Sequence, residues 1–145
     1  MQDEILKEFI EESKTIVQDA KSILVRIQEN LDLYPDLSKY SNAVDRIMGG
    51  SATVALGFSK DHPLHIVTDY TLTCKVLSVQ LIQFANDKNL LKNCLMMLIE
   101  TTEIVEKIIA SLHLPNIDVR NLVPPNFIER VKELSIHFQQ SKKSL

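Results

Sequence analysis

Along four separate stretches of this chain, apolar residues recur every three or four positions, and a short break closes each of the first three. That spacing holds side chains on one face of an α-helix, whereas a half-buried strand would alternate every second residue. In the first stretch, residues 3–31, Leu6, Phe9, Ser13, Ile16, Ala20, Ile23 and Ile27 form one stripe, and Ile10, Val17, Leu24 and Leu31 form a second beside it. So broad an apolar face fits a helical bundle better than a two-stranded coiled coil. Leu37, Tyr40, Val44, Ile47, Ser51, Val54 and Phe58 mark a second helix over about 36–56. A third, over about 63–85, carries Val67, Tyr70, Cys74, Leu77, Leu81 and Phe84. A fourth, over about 89–112, carries Leu91, Leu95, Leu98, Thr102, Val105, Ile109 and Leu112.

The breaks are Leu33-Tyr34-Pro35-Asp36, Ser59-Lys60-Asp61-His62-Pro63 and Asn86-Asp87-Lys88. A proline disfavours helix at the residue before it, and Asp61 is the expected N-cap of the third helix. Short links between long helices imply antiparallel neighbours. The expected fold is all-α, an up-down-up-down four-helix bundle over 1–113. Residues 114–145 add a connection and a C-terminal fifth helix, opened by Pro124-Pro125 and facing inward through Phe127, Val131, Leu134 and Phe138. That helix is too short to stand alone and should pack on the same domain, while the last residues, 141–145, should fray.

Within the second helix lies Gly49-Gly50, two of only three glycines in 145 residues. Each glycine in a helix interior costs about 1 kcal/mol relative to alanine, so the pair requires a reason. At about 100° per residue, Gly49 falls on the side opposite the apolar stripe, with Ser38, Asn42, Asp45, Leu56 and, beside them, Ala52. A bare stretch of backbone there suits close approach by a partner. Gly50 lies on the flank of the stripe, where it would let a neighbouring helix come near.

Around this pair the sequence resembles the histidine phosphotransfer (HPt) family, most closely the N-terminal phosphotransfer domain of chemotaxis histidine kinases. The family's helix reads His-x-Ile/Leu-Lys-Gly-Gly/Ser/Ala, then small residues and a Gly-Phe. Here the line is Asp45-Arg46-Ile47-Met48-Gly49-Gly50-Ser51-Ala52, then Gly57-Phe58 after about two extra residues. Asp45 therefore occupies the place of the phospho-accepting histidine and Met48 that of the lysine. The resemblance covers residues 1 to about 113 as a helical pattern and is specific only around 43–58. It implies two-component (phosphorelay) signal transduction, with a response-regulator receiver domain or a histidine-kinase component as partner.

Imidazole accepts a phosphoryl group on a nucleophilic ring nitrogen, and a carboxylate has none. An acyl phosphate at Asp45 would call for a cation site and a charge clamp, and no acid cluster for one stands out in the sequence. Loss of the lysine at Met48 also removes the nearest cation expected to steady an incoming phosphoryl group. The expectation is a pseudo-HPt adaptor, not an enzyme, without cofactor or metal. It would dock its partner through Asn42, Asp45, Met48, Gly49, Ala52 and Leu56. Met48 would make that face more adaptable. Two alternatives use other features. Asn42 and Asp45, three apart on one helix face, could orient a water against a partner's acyl phosphate, as in a response-regulator phosphatase. Leu72, Val76 and Val79 with Met96, Met97 and Ile99 make the third and fourth helices apolar on a second side. The fifth helix is expected to cover them; otherwise a purely structural or dimerising bundle would result.

Composition bounds the rest. A net charge of -3 gives no electrostatic case for nucleic acid or an anionic membrane. No apolar run reaches the length of a membrane span, and the acidic start has no signal-peptide pattern. Cys74 and Cys94 sit among apolar helical residues and read as reduced core thiols of a cytoplasmic protein. Neither they nor His62, His65, His113 and His137 match a metal-ligand spacing. A monomer is favoured over a homodimer.

Overall fold

A computed structural model describes residues 2–114, 127, 129–134 and 136. All regular structure among them is helical. Four long helices, α1 (Gln2–Glu29), α2 (Leu37–Ala55), α3 (Leu64–Gln83) and α4 (Lys88–Ser111), follow one another, with a 3-10 helix at Leu31–Asp36 between the first two. Around the core, α1 packs on α2, α2 on α3, α3 on α4, and α4 back on α1.

Local chemistry sets the ends. Asp3 and Glu4 lie in the first turn of α1 and Arg26 in its last, each at the pole of the helix dipole that favours its charge. Asn30 Oδ1 accepts from the N–H of Asp32 at 3.2 Å and starts the 3-10 turn. Asp87 Oδ1 accepts from the N–H of Leu90 at 3.1 Å and caps α4. The expected cap of α3 differs. Asp61 is exposed and Pro63 is the cap residue. The side chain that reaches back to the helix is that of His62, whose Nδ1 accepts from the N–H of Leu64 at 3.2 Å.

The stripes read from the sequence form the core. In one cluster Leu24, Ile27, Leu37, Tyr40, Leu81, Leu91 and Leu95 are buried together. In the other, Phe9, Val17, Ile47, Leu64, Val67, Ile104, Ile108 and Phe127 meet. Each fully buried side chain of this size contributes about 1.5–3 kcal/mol, which is what holds helices of ordinary intrinsic propensity in place. Several polar residues inside the core are hydrogen-bonded. Tyr40, fully buried on α2, shares a 2.8 Å hydrogen bond with Thr102 Oγ1 on α4. Ser51 donates to Met48 O at 3.0 Å and meets Thr68 Oγ1 of α3 at 2.8 Å. Lys21 of α1 pairs with Glu106 of α4 at 3.2 Å, and Gln18 bonds the same carboxylate.

Of the expected fifth helix, Phe127, residues 129–134 and Ile136 are helical. Phe127 is buried against Tyr70, their ring centroids 5.6 Å apart. Arg130 holds Glu100 of α4 in a two-pronged ion pair at 2.6 and 2.5 Å. The expected opening at Pro124-Pro125, the inward Phe138, His137 and the frayed end at 141–145 lie outside the described residues.

Candidate functional site

The glycine pair sits inside regular helix, and neither glycine has a positive φ. The two differ in surroundings. A β-carbon added to Gly50 would stand 3.4 Å from two ring carbons of Phe9 on α1, an ordinary contact. The Phe9 ring thus lies against Gly50 but leaves room for a methyl group. A β-carbon added to Gly49 would meet nothing within 4 Å. Packing therefore requires glycine at neither position, and Gly49 faces open space. A shallow groove of about 370 Å³ runs beside the pair, with Ile5, Glu8, Phe9 and Glu12 on α1 facing Thr53 and Val54 on α2.

The other residues expected on this face are where the helical spacing places them. Asn42, Gly49 and Ala52 are exposed, Asp45 and Met48 are half-buried, and Leu56 just beyond α2 is 87% exposed. Together they form one outward strip of α2.

Asp45 is not free on that strip. Its Oδ1 accepts from Lys75 Nζ of α3 at 2.8 Å, with side chains 47% and 37% exposed. Losing the lysine at Met48 therefore does not leave this position without a cation. The cation comes from the adjacent helix, 30 residues on. No spacing rule finds it, because the pairing depends on how α2 and α3 lie side by side. Asn42 and Asp45 share the exposed strip, but the acid already holds an ammonium group.

The second apolar surface is only partly covered. Met97 is buried and Ile99 half-buried, with Leu134 beside Met97, whereas Leu72, Val76 and Val79 on α3 remain 46%, 46% and 47% exposed. Cys74 and Cys94 are both buried and free. Burial pushes the Cys74 thiol up to about 11 and the Cys94 thiol up to about 12, which makes both poor nucleophiles. His62 and His65 flank the start of α3, and His113 is exposed beyond α4. Among the described residues no group of three or more His, Cys, Asp or Glu is placed to hold a metal ion. No described helix is long and apolar enough to cross a membrane. No protein family, curated protein or solved structure matches this chain.

Proposed function

We propose that this protein is a degenerate HPt-like adaptor in two-component signalling, which docks a receiver domain or another signalling protein without accepting phosphate. The observation that carries the reading is Gly49, a helix-weakening residue on an exposed face, with nothing within 4 Å that its missing side chain would touch. A fold alone does not favour glycine there; a partner backbone or side chain resting on α2 does. The surrounding strip supports the same reading, because Asn42, Ala52 and Leu56 are exposed and uncharged. Asp45, neutralised by Lys75 at 2.8 Å, adds a paired rather than a free charge.

The absent imidazole argues against phosphate transfer. The Asp45 carboxylate could carry a phosphoryl group only on oxygen, as an acyl phosphate, and the described residues gather no acid cluster beside it for the cation such a step requires. The finer architecture belongs to this proposal as well: an up-down-up-down bundle with the C-terminal helix docked on the same domain, acting as a cytoplasmic monomer. The two core clusters support that order. One gathers the C-terminal half of α1 with the N-terminal half of α2, the C-terminal half of α3 and the N-terminal half of α4; the other gathers the opposite halves, with Val17 and Met97 from near the helix midpoints.

An amide NMR titration against a panel of receiver domains, phosphorylated and not, tests the proposal. Shifts confined to Asn42–Leu56 and the facing residues near Lys75 are expected with at least one receiver. No shifts with any receiver would overturn the docking role. Acid-labile phosphate carried from a receiver onto this protein would overturn the non-accepting role.

A further inference from the structure

The first N–H groups of a helix have no partner inside it. Of the four at α3, the cap residue Pro63 has no N–H to satisfy, and two are met by backbone: His65 N–H donates to His62 O at 3.1 Å and Ile66 N–H to Pro63 O at 3.0 Å. The fourth, on Leu64, donates to the ring of His62 at Nδ1. Leu64 is fully buried, so water cannot replace that acceptor. An unmet buried donor is costly. To accept, Nδ1 must keep its lone pair, and the neutral ring then carries its proton on Nε2.

We infer that His62 is an acid-sensitive cap: protonation of its ring releases the start of α3 from the 59–63 turn and loosens this end of the molecule. A proton on Nδ1 sets N–H against N–H. It also places positive charge at the positive pole of α3. The ring is held where this matters, stacked obliquely on Phe58 with centroids 4.3 Å apart. It borders a groove of about 730 Å³ floored by Leu6, Ile10 and Leu112.

The charged groups around the ring do not hold it protonated. From α1, Asp3 and Glu11 line the groove together with Lys7 and Lys14, so acids and bases offset. His113 faces it from beyond α4. Its own segment adds Lys60, Asp61 and His65, and His65 Nε2 is itself bonded to Ser59 O at 3.0 Å. Burial, and secondarily the neighbouring His65, hold His62 below the ordinary histidine value of 6.5. The folded state thus binds this proton less readily than the unfolded chain does. The cap's contribution is complete above pH 6.5 and declines as pH falls through 6.5 and then through the lower folded value.

The chain supplies its own non-titrating version of the contact. Asn30 Oδ1 accepts from the N–H two residues on, at 3.2 Å, the same offset as His62 to Leu64. His62→Asn should therefore keep the acceptor and remove the titration, and His62→Ala should lose the acceptor at every pH. The full chain is followed by NMR from pH 7.5 to 5.5, reading the imidazole nitrogens, the Leu64 amide and hydrogen exchange over Leu64–Val67. The expected result is an Nε2–H tautomer at pH 7.5, a Leu64 amide that titrates with the His62 ring, and protection that falls about fivefold as the cap is lost. His62→Asn should hold its protection across that range after correction for intrinsic exchange. An Nδ1–H tautomer at pH 7.5, a Leu64 amide that does not titrate, or an unaltered pH-dependent loss in His62→Asn would each overturn the inference. Should His62→Asn not fold, the tautomer and the Leu64 titration of the native chain decide it.

Discussion

Replacing Gly49 with alanine adds one methyl group to the interior of α2, in helical backbone and pointing into open space. The full difference in helix propensity should appear as stability, about 0.8–1 kcal/mol, because no neighbour within 4 Å must move. For a chain of 145 residues the unfolding entropy is about 0.3 kcal/mol/K, so Tm should rise by about 3 °C. Gly50→Ala is the internal control. It gains the same propensity, and its methyl group arrives in ordinary contact with the Phe9 ring at 3.4 Å, so its gain should be of similar size. Urea and thermal unfolding followed by circular dichroism measure both. If Gly49→Ala is neutral or destabilising, α2 is not regular and open at this position, and the argument from an unexplained glycine fails. If it stabilises, the same variant becomes a probe of docking: a more stable protein that has lost partner binding would show what the bare backbone is for.

Three further outcomes follow from the packing. Tyr40→Phe removes the 2.8 Å bond to Thr102 Oγ1, which keeps its own donation to Leu98 O; unfolding in urea should show a loss of about 0.5–1.5 kcal/mol. Lys75→Gln breaks the pair with Asp45, but both side chains are more than a third exposed, so a stability loss below about 1 kcal/mol that shrinks in high salt is expected. A larger, salt-independent loss would show that the pair is shielded from water. Cys74 and Cys94, with values near 11 and 12 in the fold, should resist a thiol reagent at pH 8 in the native protein and react on unfolding. Because both thiols are held protonated in the fold, stability should fall as pH rises above their ordinary value of 9.0.

The helices and their inward faces were legible in the sequence because periodicity is a local property. Once Leu24, Val44 and Leu95 recur at helical spacing, burying them requires only that helices form and meet, and all three are buried. The same arithmetic put Asn42, Gly49, Ala52 and Leu56 outside. It also separated Gly49 from Gly50, although only the tertiary structure set the Phe9 ring of another helix against Gly50. The start of α3 was misread over a single residue: an aspartate is the commoner cap, but the His62-Pro63 turn brings the imidazole to the Leu64 N–H instead. Tertiary structure alone decided the contacts between helices. Tyr40 with Thr102, Ser51 with Thr68 and Asp45 with Lys75 each join side chains whose meeting depends on the axial offset and rotation of two helices. Those offsets come from the summed packing of the whole core, which no short stretch of sequence encodes. The cation beside Asp45 was therefore invisible in the line of residues around the glycine pair.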